Sequence, residues 1–263
     1  MQDLNLSLVQ ANPQWHKIEA NLGYYDKMFE GINENTDVIA LPEMFSTGFT
    51  MESAKMAESM NGKTHTWMRL QAIKHDSVIC GSIIIEEDSC YYNRFLWVEP
   101  NGKTLTYDKR HLFRMADENK SFTAGTEQLI ISYHGWKIMP MICYDLRFPV
   151  WTRNYLDNDE FYYDVLLYAA NWPLARMAVW QTLLKARAIE NYAYSIGVNR
   201  IGIDEEGISY NGHTGAYAAD GQNLIIEDDW EGIKSIKLNY QTLADFRIKF
   251  PASKDADQFK IKK

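Results

Sequence analysis

The sequence predicts an α/β fold whose sheets mix parallel and antiparallel strands, and three features carry that prediction. Apolar, β-branched runs recur at residues 4–9, 38–41, 78–85, 95–98, 138–143, 165–170 and 194–198. Several are nearly continuous rather than alternating, the pattern of strands covered on both faces. Between many of them lie stretches with apolar residues three and four apart, the helical period, and strands alternating with helices define the α/β class. Turn residues at Glu99-Pro100-Asn101-Gly102 and Ala219-Asp220-Gly221-Gln222 add hairpins, which argues against a purely parallel, doubly wound sheet.

In chain order, the strand at 4–9 is followed by a helix over 15–32 and by a second strand at 38–41, which Pro42 stops. A helix over 64–75 leads to the strands at 78–85 and 95–98. The first turn tetrad then feeds a segment, 103–108, that closes on Lys109. The strand at 138–143 runs into the polar stretch YDLRFP, from which a short helix is predicted over 151–156. After the strand at 165–170 comes the helix with the clearest spacing, 175–192, then the strand at 194–198 and the second hairpin. No repeat, low-complexity tract or Pro/Gly/Ser linker interrupts the pattern. One domain is therefore predicted over residues 1–252, with a loosely held tail over 253–263 that ends in KIKK.

Composition narrows the function classes. Hydrophobic residues make up 46% and charged residues 24% of the chain, as in globular proteins that bury a sizeable core. The net charge of −8, with Lys and Arg scattered, offers no footprint for a phosphate backbone or an anionic membrane, so neither nucleic acid nor membrane is an expected partner. The opening MQDLNLSLVQANPQW has no basic region followed by an apolar run, and no stretch of about eighteen apolar residues occurs; a cytoplasmic location is expected. Cys80, Cys90 and Cys143 are odd in number and lack CxxC spacing, and the six histidines lack HxH, HxxxH or HExxH spacing. Free thiols are expected, with no metal and no cofactor.

Cys143 ends an apolar strand at the point where the chain must turn, and strand ends in α/β sheets are where side chains emerge into clefts. A thiol is only slightly ionised at neutral pH, so a nucleophilic cysteine needs a base or a cation beside it. Glu43 follows the proline-stopped strand 38–41, where its carboxylate would meet partly dry surroundings and could serve as a general base. Lys109 closes the segment after the first hairpin and supplies a cation.

The segments LPEMFSTGF around Glu43, YDKRHLF around Lys109 and MICYDLRFP around Cys143 together resemble the nitrilase superfamily. They stand in that family's order, with Lys109 and Cys143 34 positions apart. The likeness extends to LSLVQANPQW, AANWP, LLKARAIENYAY, GVNRIG and DGQNLI, and so spans nearly the whole chain. The resemblance implies a four-layer αββα sandwich and a Glu43-Lys109-Cys143 triad. It further implies an oxyanion hole formed by Lys109 and the backbone N–H of Tyr144, and an assisting Glu118 in MADENKSFTAG, where Ala124-Gly125 stands in the place of the commoner Pro-Gly.

CYDLRFP and HLFRMADE look most like the ω-amidase branch, whose substrates are terminal amides of short 2-oxo dicarboxylic acids such as 2-oxoglutaramate and 2-oxosuccinamate. Such a substrate carries a carboxylate at its far end. Arg147 is the candidate bidentate partner, with a structural ion pair to Asp145 or another carboxylate as its competing role. Phe45 and Trp172 are expected to wall the pocket, and His111 to orient its neighbours through hydrogen bonds. Water is the co-substrate, and a homodimer joined through helices near Phe148 and over 175–192 is implied. Amidases on deaminated glutathione, N-carbamoyl hydrolases and nitrilases share the triad and remain alternatives, as does a non-catalytic binding or assembly protein on the same fold.

Overall fold

The computed structural model describes residues 2–32, 35–225, 230–257 and 260–261. The chain begins β1 (Leu4–Gln10), α1 (Ile18–Phe29), β2 (Val38–Ala40), α2 (Ser53–Met56), α3 (Lys63–His75), β3 (Val78–Glu87), β4 (Cys90–Val98) and β5 (Thr104–Asp108). It continues α4 (Glu118–Ser121), β6 (Ile131–Tyr133), β7 (Trp136–Ile142), β8 (Leu156–Asp157), β9 (Glu160–Phe161) and β10 (Val165–Ala169). The remainder is α5 (Met177–Asn191), β11 (Tyr194–Val198), β12 (Ile201–Ile203), β13 (Ser209–Asn211), β14 (Gly215–Tyr217), β15 (Gly232–Leu238) and α6 (Tyr240–Lys249).

Two mixed sheets face each other. One has the order β15-β1-β2-β3-β4-β5, and the other β14-β11-β10-β7-β6. In the first sheet the two-residue period of a strand sorts the side chains cleanly. Leu4, Leu6, Leu8, Val38, Ala40, Val78 and Cys80 point into the layer between the sheets, while Val9, Ile39 and Ile79 point outward onto Leu22, Tyr25 and Phe29 of α1 and Trp67 and Met68 of α3. On the other side, Trp180, Leu184 and Ala188 of α5 and Leu243 of α6 cover the second sheet. The layers are helix, sheet, sheet, helix, the predicted αββα sandwich. Among the described residues, no helix is long and apolar enough to cross a membrane.

Register decides where a site can form. β7, β10 and β11 run parallel, with Ile142 opposite Ala169 and Ala169 opposite Val198. Their carboxyl ends therefore lie side by side, and the segments that follow, at Cys143, Asn171 and Asn199, leave the sheet together. From the facing sheet, β2 ends at Ala40, and the Glu43 N–H reaches across to the Ala170 carbonyl at 3.4 Å.

Two local predictions differ. Residues 151–156 form no helix: Thr152 N–H closes a turn on Pro149, and Asn154 spends its side chain on the Tyr163 and Asn191 carbonyls, fixing an extended path into β8. The predicted helix near Phe148 is likewise a turn, closed by the Trp151 N–H on the Phe148 carbonyl. The tail contains one 3-10 turn, Ala252–Asp255, and part of it, residues 258–259 and 262–263, lies outside the described residues.

Candidate active site

The segments that follow β2, β5, β7 and β10 and the β12–β13 loop converge on a cleft of about 560 Å³, its open mouth included. Its floor holds Cys143 and Lys109 and its walls include Phe49, Phe113, Tyr144, Arg147, Trp172 and Arg176. Cys143 opens the 3-10 turn Cys143–Arg147 directly after β7, with φ at +41°. Left-handed backbone at a non-glycine residue costs about 1–2 kcal/mol and needs support from its surroundings. Buried Asp145 gives that support, accepting hydrogen bonds from Ile142 N–H (3.0 Å), Tyr107 O–H (2.8 Å) and His111 N–H (3.0 Å). Arg187 of α5 donates to the Leu146 carbonyl at 2.6 Å and clamps the same turn from the helix layer.

Glu43, Lys109 and Glu118 are all buried. Lys109 Nζ donates to Glu43 Oε1 at 2.8 Å and to both oxygens of Glu118 at 2.9 Å, using the three protons of an ammonium. Asn93 of β4 bridges the carboxylates, 2.8 Å from Glu43 Oε1 and 3.2 Å from Glu118 Oε1. Glu43 Oε2 accepts from the Asn171 N–H at 2.9 Å, and Glu118 Oε2 from the Phe113 N–H at 2.5 Å. Removing such charges from water costs several kcal/mol per ion, and this near-complete set of partners is what makes the burial tolerable.

The electrostatics follow from that arrangement. Burial opposes the Lys109 charge, but Glu118 and Glu43, with Cys143 adding to them, outweigh it and hold the ammonium well above the usual lysine range. Burial pushes the Cys143 thiol up, and the Glu43 carboxylate pushes it further, against the downward pull of Lys109. The net effect is that the sulfur holds its proton more tightly than a free thiol does.

The sequence pattern of the carbon-nitrogen hydrolase family matches residues 5–248. The chain belongs to the carbon-nitrogen hydrolase family. It is 43% identical over 262 residues to Omega-amidase YafV of Escherichia coli, covering 99% of this chain and 100% of the relative. It is also 29% identical over 253 residues to the 2-oxoglutaramate amidase of Bacillus subtilis, covering 95% and 96%. The crystal structure of a CN-hydrolase superfamily protein from Xanthomonas campestris, which has an arsenic adduct in its active site, superposes with a TM-score of 0.97 at 39% identity, each chain covered to 100%.

In this carbon-nitrogen hydrolase Glu43, Lys109, Glu118 and Cys143, each named from a separate stretch of sequence, lie at one place. Arg147 and Trp172 line the same cavity, and the Arg147 guanidinium lies 5.2 Å from the Trp172 ring centroid. The competing role of Arg147 fails, because Asp145 is occupied by Tyr107, His111 and the Ile142 N–H, and no ion pair to Arg147 forms among the described residues. His111 sits 2.8 Å from Asp145 and stacks on Phe148 at 3.8 Å, orienting the turn as anticipated.

Phe45 is a correction. Met44 adopts a left-handed φ of +43°, and the chain doubles back so that the Phe45 N–H bonds to the Ser82 carbonyl of β3. The ring then points away from the cleft into the sheet–helix layer, edge-on to Tyr25 at 5.5 Å. Phe49 lines the cavity instead, 5.3 Å from Lys109 Nζ.

Asn93, Asn171, Arg176 and Tyr210 escaped the sequence reading. Only Asn171 carried a usable signal, following the strand end in AANWP as Glu43 and Cys143 follow theirs. Gly125 has a steric reason for its place: a Cβ there would lie 2.2 Å from the Asp108 carbonyl, and its N–H holds the Lys109 carbonyl at 2.9 Å. Among the described residues, no group of three or more His, Cys, Asp or Glu is arranged to hold a metal ion.

Proposed function

We propose that this hydrolase is an ω-amidase, cleaving the terminal amide of short 2-oxo dicarboxylic acid monoamides such as 2-oxoglutaramate and 2-oxosuccinamate to the 2-oxo acid and ammonia. The observation that carries the reading is the shared cavity: a thiol with a carboxylate and an ammonium at its base, and on its wall an arginine with no carboxylate partner among the described residues. Glu43 takes the thiol proton as Cys143 sulfur bonds to the amide carbon. Its Oε2 accepts from the Asn171 N–H and keeps a second lone pair for that proton. The tetrahedral oxyanion is met by the N–H of Tyr144 and by Lys109, which exchanges one of its two bonds to Glu118 for the new partner. Glu43 then passes its proton to the nitrogen, the carbon–nitrogen bond breaks, and ammonia leaves a thioester on Cys143. Water attacks that thioester with Glu43 as base, and the carbon–sulfur bond breaks to release the acid and restore the thiol. Glu118, bonded to Lys109 and bridged to Glu43 through Asn93, holds the ammonium in place.

Arg147 suits the far carboxylate because its planar fork matches two oxygens while Trp172 holds the guanidinium flat. The enzyme is read as cytoplasmic, needing only the amide and water, and as a homodimer. Val150 and Ile189 are exposed apolar residues on the two segments named for that contact, 58% and 46% accessible. Light scattering near twice 30.5 kDa is expected, and a monodisperse species of 30.5 kDa would rule the dimer out.

The deciding test is ammonia release from 2-oxoglutaramate, 2-oxosuccinamate, deaminated glutathione, an N-carbamoyl amino acid and an aliphatic nitrile, with wild type and Cys143→Ala. Preference for the short 2-oxo amides, lost in the variant, is the expected result. Activity confined to another of these compounds would keep the chemistry and discard the substrate. Activity on none would favour a binding protein.

A further inference from the structure

Arg176 ends the 3-10 turn Leu174–Arg176, between the strand-end segment Asn171-Trp172-Pro173 and α5. Its guanidinium carbon lies 5.2 Å from the Phe113 ring centroid, and its carbonyl accepts the Trp172 indole N–H at 2.9 Å. The same indole carries Arg147 over its ring. One tryptophan therefore holds the backbone at Arg176 and the guanidinium of Arg147 beside one cavity. The arginines that brace the fold spend their guanidinium N–H groups on acceptors: Arg94 on Asp108 and Glu87, Arg187 on Glu190, Arg247 on Asp164, and Arg110 and Arg200, which also lie on aromatic rings without a carboxylate, on the Gly125 carbonyl and on the Ile201 carbonyl and Asn12 side chain. Neither Arg147 nor Arg176 has such an acceptor among the described residues; both are half-buried and seated on aromatic faces, which leaves the N–H edges of each guanidinium open. Two acidic side chains share the cavity. Asp204 is committed to the Glu206 and Ile208 N–H groups and the Tyr210 hydroxyl, and Glu206 is exposed on the β12–β13 loop.

Two guanidinium groups offer more donors than one carboxylate needs. A 2-oxo acid head presents a third acceptor, the oxo oxygen, next to its carboxylate. We propose that Arg176 is a second specificity-determining residue, donating to the 2-oxo oxygen while Arg147 holds the carboxylate. This division of labour rests on the ω-amidase reading and makes the enzyme selective for 2-oxo acid amides over the corresponding simple acid amides.

The test compares kcat/KM for 2-oxoglutaramate with that for glutaramate, which has the same carbon chain and carboxylate but no oxo group. Arg176→Met is expected to lower the ratio of the two on the order of 30-fold, mainly through KM, the size of one charge-assisted hydrogen bond. Arg176→Lys, which keeps the charge but loses the fork, should lower it by less. Arg147→Met is expected to weaken both substrates together and to keep the ratio within about threefold. Equal loss of both substrates in Arg176→Met would make Arg176 a structural residue and overturn the proposal. A Glu206→Gln variant that reproduced the fall would overturn it too, by assigning Arg176 to the loop. A wild type inactive on 2-oxoglutaramate would sink the ω-amidase reading and this inference with it, whereas an active wild type with an unselective Arg176→Met sinks this inference alone.

Discussion

The floor and the wall of the cleft handle charge in opposite ways. On the floor, Lys109, Glu43 and Glu118 are sealed from water and satisfy one another through three ammonium bonds, two backbone N–H groups and Asn93. On the wall, Arg147 and Arg176 rest on aromatic rings and have no carboxylate partner among the described residues. A fully buried charge must find its partners within the fold, whereas a half-exposed guanidinium keeps water until a ligand displaces it. The floor is thus complete before substrate arrives and sets the reaction class. On the proposed reading, the wall is completed by the substrate and sets the choice among amides.

The hardest test of the floor is its nucleophile. Cys143→Ala should lower kcat for ammonia release by about 10⁴-fold or more, since no other thiol lines the cavity among the described residues. Retained activity would move the chemistry elsewhere. Next in size, Lys109→Met leaves two buried carboxylates facing each other and should cost about 3–5 kcal/mol in urea unfolding. Arg147→Met on the wall should cost under about 1 kcal/mol. Equal costs would erase the contrast between the two regions.

Arg147→Lys keeps the charge and loses the fork, so KM for the 2-oxo amide should rise about 10- to 100-fold with a smaller change in kcat. The two phenylalanines separate core from cleft. Phe45→Leu is expected to cost about 1 kcal/mol of stability and leave KM alone, while Phe49→Leu should change KM and spare stability. The reverse pattern would place Phe45 back in the pocket.

The smallest effect concerns pH. Burial raises the Glu118 carboxyl above its usual value of 4.5, and Glu43 adds to the rise against the pull of Lys109. The folded protein therefore holds that proton more tightly than the unfolded chain. Its contribution is fully present below that usual value and is lost as pH rises through the raised one. As pH rises from about 4.5, wild type should lose stability relative to Glu118→Gln, with a slope of at most about 1.4 kcal/mol per pH unit. Parallel stability curves for the two proteins would show that Glu118 titrates alike in both states.

The contrast between floor and wall was unevenly legible. Glu43 and Cys143 each follow an apolar strand, and a reader of period and proline stops finds both. Lys109 and Glu118 needed the family's motif order, because a lysine after a hairpin and a glutamate in a loop look like surface residues. Asn93 was invisible, since an asparagine in mid-strand reads as a defect until Lys109 and both glutamates are seen around it. Phe45 misled because it stands two residues from Glu43, where a left-handed Met44 reverses the chain and with it the face to which the ring belongs. The helix predicted over 151–156 failed on Asn154, whose side chain competes for backbone carbonyls.

By itself the sequence determined the alternation of strands and helices, the mixed sheets, and which side chains stand where strands end, because these depend on local period and on residues that stop a strand. Tertiary structure alone decided which strand ends are neighbours, that Lys109 is shared between two carboxylates, and that Arg176 joins Arg147 through Trp172. Those facts depend on the register of parallel strands and on side chains far apart in sequence. No local pattern encodes contacts between positions 43, 109, 143 and 176.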